Sequence, residues 1–230
     1  MLSLLIATRN AHKVREIREI LGGQFHYLSL DDLPGSPEVI ESASTFAGNA
    51  ARKTREIVRW FPSSAPGAAS HRPPTHVLAD DSGLEVDALH GAPGVHSARF
   101  AALDTGTAGN SPTTANNAKL LRLLQDVPPE KRTARFRCVV AFAPLARLAD
   151  SEEAVPSGGR EGIHVELFEG VCEGHIILAP RGPGGFGYDP LFVPVGYEQT
   201  FAELEADTKN HLSHRALALA KLKERLGALA

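Results

Sequence analysis

The 230-residue chain is 43% hydrophobic and 22% charged, enough apolar material for one α/β domain with a full core. Its formal charge of -3 excludes a general attraction to nucleic acid, so any anion site must be local. No apolar run is longer than a buried strand and the first, Leu2 to Ala7, has no basic leader, so we expect a cytoplasmic protein that enters no membrane.

Leu2 to Ala7 reads as a buried strand, and the polar loop Thr8-Arg9-Asn10-Ala11-His12-Lys13 leads into a helix with Val14, Ile17 and Leu21 on one face. Backbone N–H groups at a helix start are unpaired and the dipole is positive there, so Thr8, Asn10 and Lys13 suit an anion. The same residues also suit a plain helix cap with a solvated lysine, and both readings stand at this point. The spaced glycines and the Gly-Lys-Ser/Thr ending of a Walker A loop are absent. A second strand candidate runs from Phe25 to Leu30, followed by a loop with Glu38 and Glu41. A helical pattern from Thr45 to Trp60 then places Asn49 and Lys53 on one face, with Phe46, Ala50, Ile57 and Phe61 as apolar surface. Lys53 is either a phosphate contact or an ordinary solvent lysine. Residues 62–75 are rich in Pro, Ser, Ala and Gly and read as a surface loop.

The stretch Val77-Leu78-Ala79-Asp80-Asp81-Ser82-Gly83-Leu84 is an apolar run that meets two adjacent carboxylates and a Ser-Gly turn signal. We read it as a buried strand ending at the acids, where open α/β sheets keep their ligands. Side chains alternate along a strand, so one acid is free for chemistry and the other holds the turn. Leu84 to Ala88 follows as a half-buried strand and Gly91 to Phe100 as a turn-rich loop, in which Arg99 is an anion contact or a tie for the loop. A helix from Thr114 to Gln125 points Leu120, Leu121 and Leu124 inward, and Phe136 to Phe142 is a strand. Residues 144–162 are aperiodic and read as an excursion. Val165 to Phe168 and Cys172 to Leu178, joined at Glu169-Gly170, look like a hairpin. The two cysteines, Cys138 and Cys172, fall in strand-like stretches and are expected to be buried reduced thiols, and none of the ten histidines joins a zinc-like spacing.

Gly182 to Pro190 sets four glycines around Phe186, Tyr188 and Asp189. Glycine allows close backbone approach and an aromatic ring gives a face for a nucleotide base, although a tight turn with core-packed rings has the same composition. In Lys209-Asn210-His211-Leu212-Ser213-His214-Arg215, Lys209 and His214 would lie about 140° apart on one continuous helix. They face one ligand only if the helix breaks near Ser213, which as an N-cap would make that break.

In their order along the chain, Thr8-Arg9-Asn10 with Lys13, Thr45-Phe46 with Asn49-Ala50 and Lys53, Ala79 to Leu84, Gly91-Ala92-Pro93-Gly94, Ser97-Ala98-Arg99, Gly185 to Pro190 and Ser213-His214-Arg215 resemble the inosine/xanthosine triphosphate pyrophosphatase family. The match runs from Leu4 to the last helix. The resemblance implies a single domain over residues 1–230, with surface loops at 62–75 and 146–162. It also implies an α/β fold with a long mixed sheet flanked by helices, two lobes with a cleft between them, and a homodimer. The implied activity is Mg2+-dependent hydrolysis of deaminated purine nucleoside triphosphates to monophosphate and pyrophosphate. Carried over by position, Thr8, Arg9, Asn10, Ala11, His12, Lys13, Asn49 and Lys53 would contact the phosphate side of the substrate and Ser82 would be a further contact. Phe186, Gly187, Tyr188 and Asp189 would clamp the base, and Lys209, His214 and Arg215 would add base and phosphate contacts. Asp81, Lys13 and Lys53 would be catalytic. The family usually has Glu where Gly48 stands, and paired acids where Ile40-Glu41 stand, so the metal would fall to Asp81 and Glu41, with Glu38 second.

The chemistry agrees with that transfer. A triphosphate carries roughly four negative charges, and its cleavage adds charge to the leaving group, so Lys13, Lys53 and Mg2+ matter more than a covalent nucleophile. Asp81 can be the base for water or a metal ligand, and the sequence does not separate the two. Inosine presents an O6 acceptor and an N1–H donor, where adenine presents the reverse, so donors at His214 and Arg215 with an acceptor at Asp189 would admit one and reject the other. Two rival readings are an aspartate-nucleophile phosphatase, which lacks its second acid because Ser82 stands two places after Asp80, and a nucleotide sensor that binds without turnover.

Overall fold

The computed structural model describes residues 2–64, 73–145 and 162–228. Most of both predicted surface loops, at 65–72 and 146–161, lies outside these residues. The elements are β1 (Ser3–Ile6), α1 (Ala11–Leu21), β2 (His26–Ser29), α2 (Phe46–Ser64), β3 (His76–Val86), α3 (Thr113–Leu123), β4 (Thr133–Pro144), β5 (Glu166–Ile176), β6 (Phe192–Pro194), α4 (Ala206–Leu212) and α5 (His214–Gly227), with short 3-10 turns between them. The six strands form one sheet in the order β2-β1-β3-β4-β5-β6. It is mixed, because β1 runs parallel to β2 and β3 while β5 and β6 are antiparallel. This is the α/β class that the sequence predicts.

The chain divides into two compact units. The first takes the described residues of Met1–Asp81, Val139–Phe168 and Leu219–Ala230, and the second those of Ser82–Cys138 and Glu169–Ala218. Each has its own apolar cluster. In the first, Leu5, Leu28, Ile57 and Val77 pack together, and Ile17 and Leu21 of α1 are buried as their helical spacing demands. In the second, Leu84, Leu120, Leu124, Phe136, Tyr188, Phe192 and Phe201 form the core. Both cysteines are free and buried, as expected, and burial pushes the Cys172 thiol up to about 12.

Helix starts follow their capping chemistry. Asn10 Oδ1 accepts the backbone N–H of His12 at 3.0 Å and of Lys13 at 3.3 Å, so Asn10 is the helix cap, but Lys13 is not the solvated lysine of that reading, because its ammonium pairs with Asp80. Ser213 separates α4 from α5 with an extended backbone, and its Oγ accepts the Ala216 N–H at 3.2 Å, which is the predicted break.

Three expectations are corrected. The strand through Val77 does not end at the acids, and Ser82-Gly83 is not a turn: β3 runs on to Val86, so Leu84 to Ala88 is not a separate strand start. The acids are neutralised by lysines, as described below, and the apolar alternation resumes at Leu84 and Val86, both fully buried. The ligand-side position survives for another reason. Ile6, the last residue of β1, pairs with Leu78, so Asp80 and Asp81 lie just past the carboxyl end of β1. Helix α2 extends to Ser64 through Pro62, which in a last turn removes a single backbone donor.

The third correction is the hairpin at Glu169-Gly170, which is one continuous strand, β5. A Cβ on Gly170 would lie 2.1 Å from the His214 carbonyl oxygen and 2.5 Å from the Ala218 nitrogen, so this glycine marks a close approach of α5 rather than a turn. Gly170→Ala is therefore expected to destabilise the fold by at least about 1–3 kcal/mol, read as a lower urea midpoint at unchanged slope. An unchanged midpoint would contradict this packing.

Candidate active site

In the first unit, five charged side chains converge just past β1. Lys13, on the first turn of α1, reaches Asp80 Oδ2 at 3.1 Å. Lys53, one turn along α2 from Asn49, donates to Glu41 Oε1 at 2.9 Å, the Asp80 carbonyl oxygen at 2.6 Å and Asp81 Oδ1 at 3.3 Å. Asn49 Nδ2 donates to Asp81 Oδ2 at 3.0 Å. Strand alternation explains the division of labour, since Asp80 turns to α1 and Asp81 to α2. Asp80, predicted to hold a turn, instead pairs with Lys13.

Asp80, Asp81 and Lys53 are all buried. Burial pushes the Asp81 carboxyl above its ordinary range, against the opposing pull of Lys53 and Lys13. Burial also pulls the Lys53 ammonium down, but Asp81, Glu41 and Asp80 more than offset it, and the net direction is up. Lys53 is thus a charged ammonium held among three acids. Three acids against two lysines leave an acid surplus suited to a cation. Asp81 and Glu41 already share one cation, the Lys53 ammonium, which shows that their carboxylates converge. Among the described residues no group of three or more His, Cys, Asp or Glu side chains gathers as a metal site. Two carboxylates with the remaining positions filled by phosphate oxygens and water is a donor set that Mg2+ accepts. Glu38, the second candidate, is exposed.

Other residues of the first loop have local roles. Thr8 Oγ1 accepts the Asn10 N–H at 3.2 Å, and the Arg9 guanidinium donates to the Ser36 carbonyl and hydroxyl oxygens, both at 2.7 Å. Ala11 and His12 are exposed on the first turn of α1. At Gly48, a Cβ would lie 2.8 Å from the Ala43 Cβ, so the segment ahead of α2 packs where the side chain of the glutamate implied by the resemblance would start.

In the second unit, Asp189 Oδ2 accepts the Phe186 N–H and the Lys209 ammonium, both at 2.8 Å. Gly185 has φ of +72°, and a Cβ there would lie 2.3 Å from Asp189 Oδ2, so only glycine lets the loop fold back over the acid. The half-buried Phe186 ring has the Lys209 ammonium 5.3 Å and the Arg215 guanidinium 5.7 Å from its centroid. Arg215 is 1% exposed and donates to Ser82 Oγ at 2.9 Å. The His214 ring stacks on Phe136 at 4.8 Å.

Tyr188 departs from its expected place in the base clamp. Its ring belongs to the core, its hydroxyl donates to the Ser97 carbonyl oxygen at 2.9 Å, and burial raises its pKa, so the ring offers no face to a ligand. Phe186 alone of the two aromatics keeps one. The sequence reading missed Asn117, whose Nδ2 donates to the Gly187 carbonyl oxygen at 3.3 Å and ties the loop to α3. The signal was present as Asn116-Asn117, two amides on a helix whose burial demands partners.

Comparison with known proteins agrees along the whole chain. The sequence profile of the Ham1 family matches residues 4–225. The chain is 45% identical over 99% of its length to the dITP/XTP pyrophosphatase of Desulforamulus reducens, covering 97% of that protein. It is 44% identical over 99% of its length to the dITP/XTP pyrophosphatase of Geobacter sulfurreducens, covering 98% of it. Among solved structures, the Staphylococcus aureus Ham1 protein superposes with a TM-score of 0.74 at 30% identity, over 99% of this chain and 100% of that one. The nucleoside-triphosphatase / dITP/XTP pyrophosphatase of Mycobacterium abscessus does so with a TM-score of 0.67 at 37% identity, over 96% and 98%.

Proposed function

The chain belongs to the Ham1 family, and from that premise we propose that it hydrolyses ITP, dITP and XTP to the nucleoside monophosphate and pyrophosphate, clearing deaminated purine nucleotides from the pool. The observation that carries this reading is the buried Asp81 carboxylate, held between Asn49 and Lys53 among three acids and two lysines. It is joined by one peptide bond to Ser82, which Arg215 holds.

Lys13 and Lys53 supply positive charge for phosphate oxygens, and each has an internal acid to exchange for them. Mg2+ is the proposed cofactor, held by Asp81 and Glu41, where it would neutralise phosphate charge and lower the pKa of bound water. Asp81 orients the attacking water and takes its proton; its upward shift by burial favours that role, because a base with raised pKa accepts a proton more readily. The Phe186 ring is the proposed stacking face for the purine; Lys209 and Arg215, within 6 Å of its centroid, are the proposed donors for O6 together with His214. Asp189 braces the loop through Phe186 and Lys209 and is the proposed acceptor for N1–H. Thr8, Arg9 and Asn10 hold the first loop in shape around Lys13. A homodimer in the cytoplasm completes the proposal by family resemblance; no described helix is long and apolar enough to cross a membrane.

The test is a panel of ITP, XTP, dITP, GTP and ATP with Mg2+, with pyrophosphate and free phosphate measured separately. We expect pyrophosphate from the first three, and kcat/KM for ATP lower by roughly 10²-fold or more, since adenine would leave buried groups unpaired. Free phosphate without pyrophosphate, or ATP turned over as well as ITP, would overturn the reading.

A further inference from the structure

We propose that Asn49 is a positioning residue that locks the Asp81 carboxylate to the segment carrying Glu41, and so sets the spacing of the two acids. The inference rests on the functional reading above and deepens it. Asn49 is fully buried, and both ends of its amide are committed to the protein. Its Oδ1 accepts the Ala43 N–H at 2.9 Å, and its Nδ2 donates to Asp81 Oδ2 at 3.0 Å. A side chain with both ends so occupied acts through its neighbours, and this role replaces the direct phosphate contact that the family resemblance implies for Asn49.

The segment 37–45 has no helix or strand of its own, and Glu41 lies within it. Its position relative to β3 depends on side-chain ties, of which the Asn49 bridge is one that carries no charge. Further ties among the described residues are the Lys53–Glu41 ion pair at 2.9 Å, the Arg52 guanidinium donating to Ser42 Oγ, and the Thr45 Oγ1 bond from the Gly48 N–H at 3.0 Å. The close packing of Gly48 against Ala43 brings the Ala43 N–H within reach of the Asn49 amide. The polarity of the bridge admits few substitutes, because one end must accept from a backbone N–H and the other must donate to a carboxylate. With Oδ2 fixed by Asn49, the Asp81 carboxylate plane is set and its remaining lone pairs have a defined direction. Partners of this kind tune a metal site or a base without belonging to it.

Two variants test the assignment, with Thr54→Val as a control for packing damage in the same helix. Thr54 is fully buried and its hydroxyl donates to the Ala50 carbonyl oxygen, apart from the acids. Asn49→Asp keeps the size and the acceptor for Ala43 but sets a carboxylate against Asp81, whereas Asn49→Ala removes both bonds. For each, kcat and KM for ITP are measured, together with Mn2+ affinity in the presence of α,β-methylene-ITP from the free-ion signal in electron paramagnetic resonance. We expect both Asn49 variants to lose roughly 10- to 100-fold in kcat and in Mn2+ affinity with KM little changed, and Thr54→Val to lose stability alone. Unchanged Mn2+ affinity and kcat in a folded Asn49→Asp would overturn the proposal, as would an equal loss in Thr54→Val. Wild-type protein that released no pyrophosphate would instead sink the functional reading, and the Mn2+ comparison would still decide the role of Asn49.

Discussion

Asp81→Asn is expected to keep its fold and to lose roughly 10²–10⁴-fold in pyrophosphate release. The substitution preserves the planar side chain, and its remaining oxygen still accepts from Asn49 Nδ2, which sits 3.0 Å from Asp81. Lys53 keeps Glu41 at 2.9 Å and the Asp80 carbonyl at 2.6 Å, so no buried ammonium is left alone. What disappears is the carboxylate proposed to take a proton from water and to complete a cation site with Glu41. Thermal unfolding near the wild-type temperature together with lost turnover is the predicted pair of results. Near-normal turnover would remove Asp81 from the chemistry and return the cluster to a purely structural role.

Lys53→Met is expected to damage both stability and activity, with a stability loss of roughly 3–5 kcal/mol at neutral pH in urea unfolding. The methylene stem is replaced but the ammonium is not, which leaves Asp81 buried beside Glu41 without their common cation. The sign of the pH dependence follows. Burial already holds the Asp81 carboxyl above its ordinary range, and removal of Lys53 removes the largest opposing pull, so the folded carboxyl binds its proton more tightly than the unfolded one. Stability of the variant therefore recovers as pH falls through the raised folded value and is lost as pH rises. A loss that stayed constant across that interval would show that packing, not charge, sets the cost.

Much of this arrangement was legible before any coordinates, and the misses have a common physical origin. Asn10 as a cap, the buried face of α1 and the break at Ser213 all depend on neighbours within a few residues, which sequence spacing reports directly. The course of β3 and β5 did not. Asp80-Asp81-Ser82-Gly83 has the composition of a turn, and it stays extended because lysines from distant helices neutralise its acids. Gly170 likewise has a turn composition, but its reason for being glycine is the backbone of α5. Tyr188 and Phe186 were indistinguishable as rings in one loop, and the fate of Tyr188 was decided by Ser97, far away in the chain.

The site itself followed the same rule. Residue types and their order pointed to Lys13, Lys53 and Asp81, but their partners are set by tertiary contacts. That Lys53 bridges Glu41 and Asp81, that Asp80 belongs to Lys13, and that Asn49 faces inward with both ends committed could be read only from the fold.

In the proposed reaction, water oriented at Asp81 attacks the phosphorus nearest the nucleoside and expels pyrophosphate intact. Turnover of ITP in ¹⁸O-labelled water, followed by mass spectrometry of both products, tests it most directly. One labelled oxygen is expected in inosine monophosphate and none in pyrophosphate. Label in pyrophosphate, or in free phosphate released beside inosine diphosphate, would contradict it.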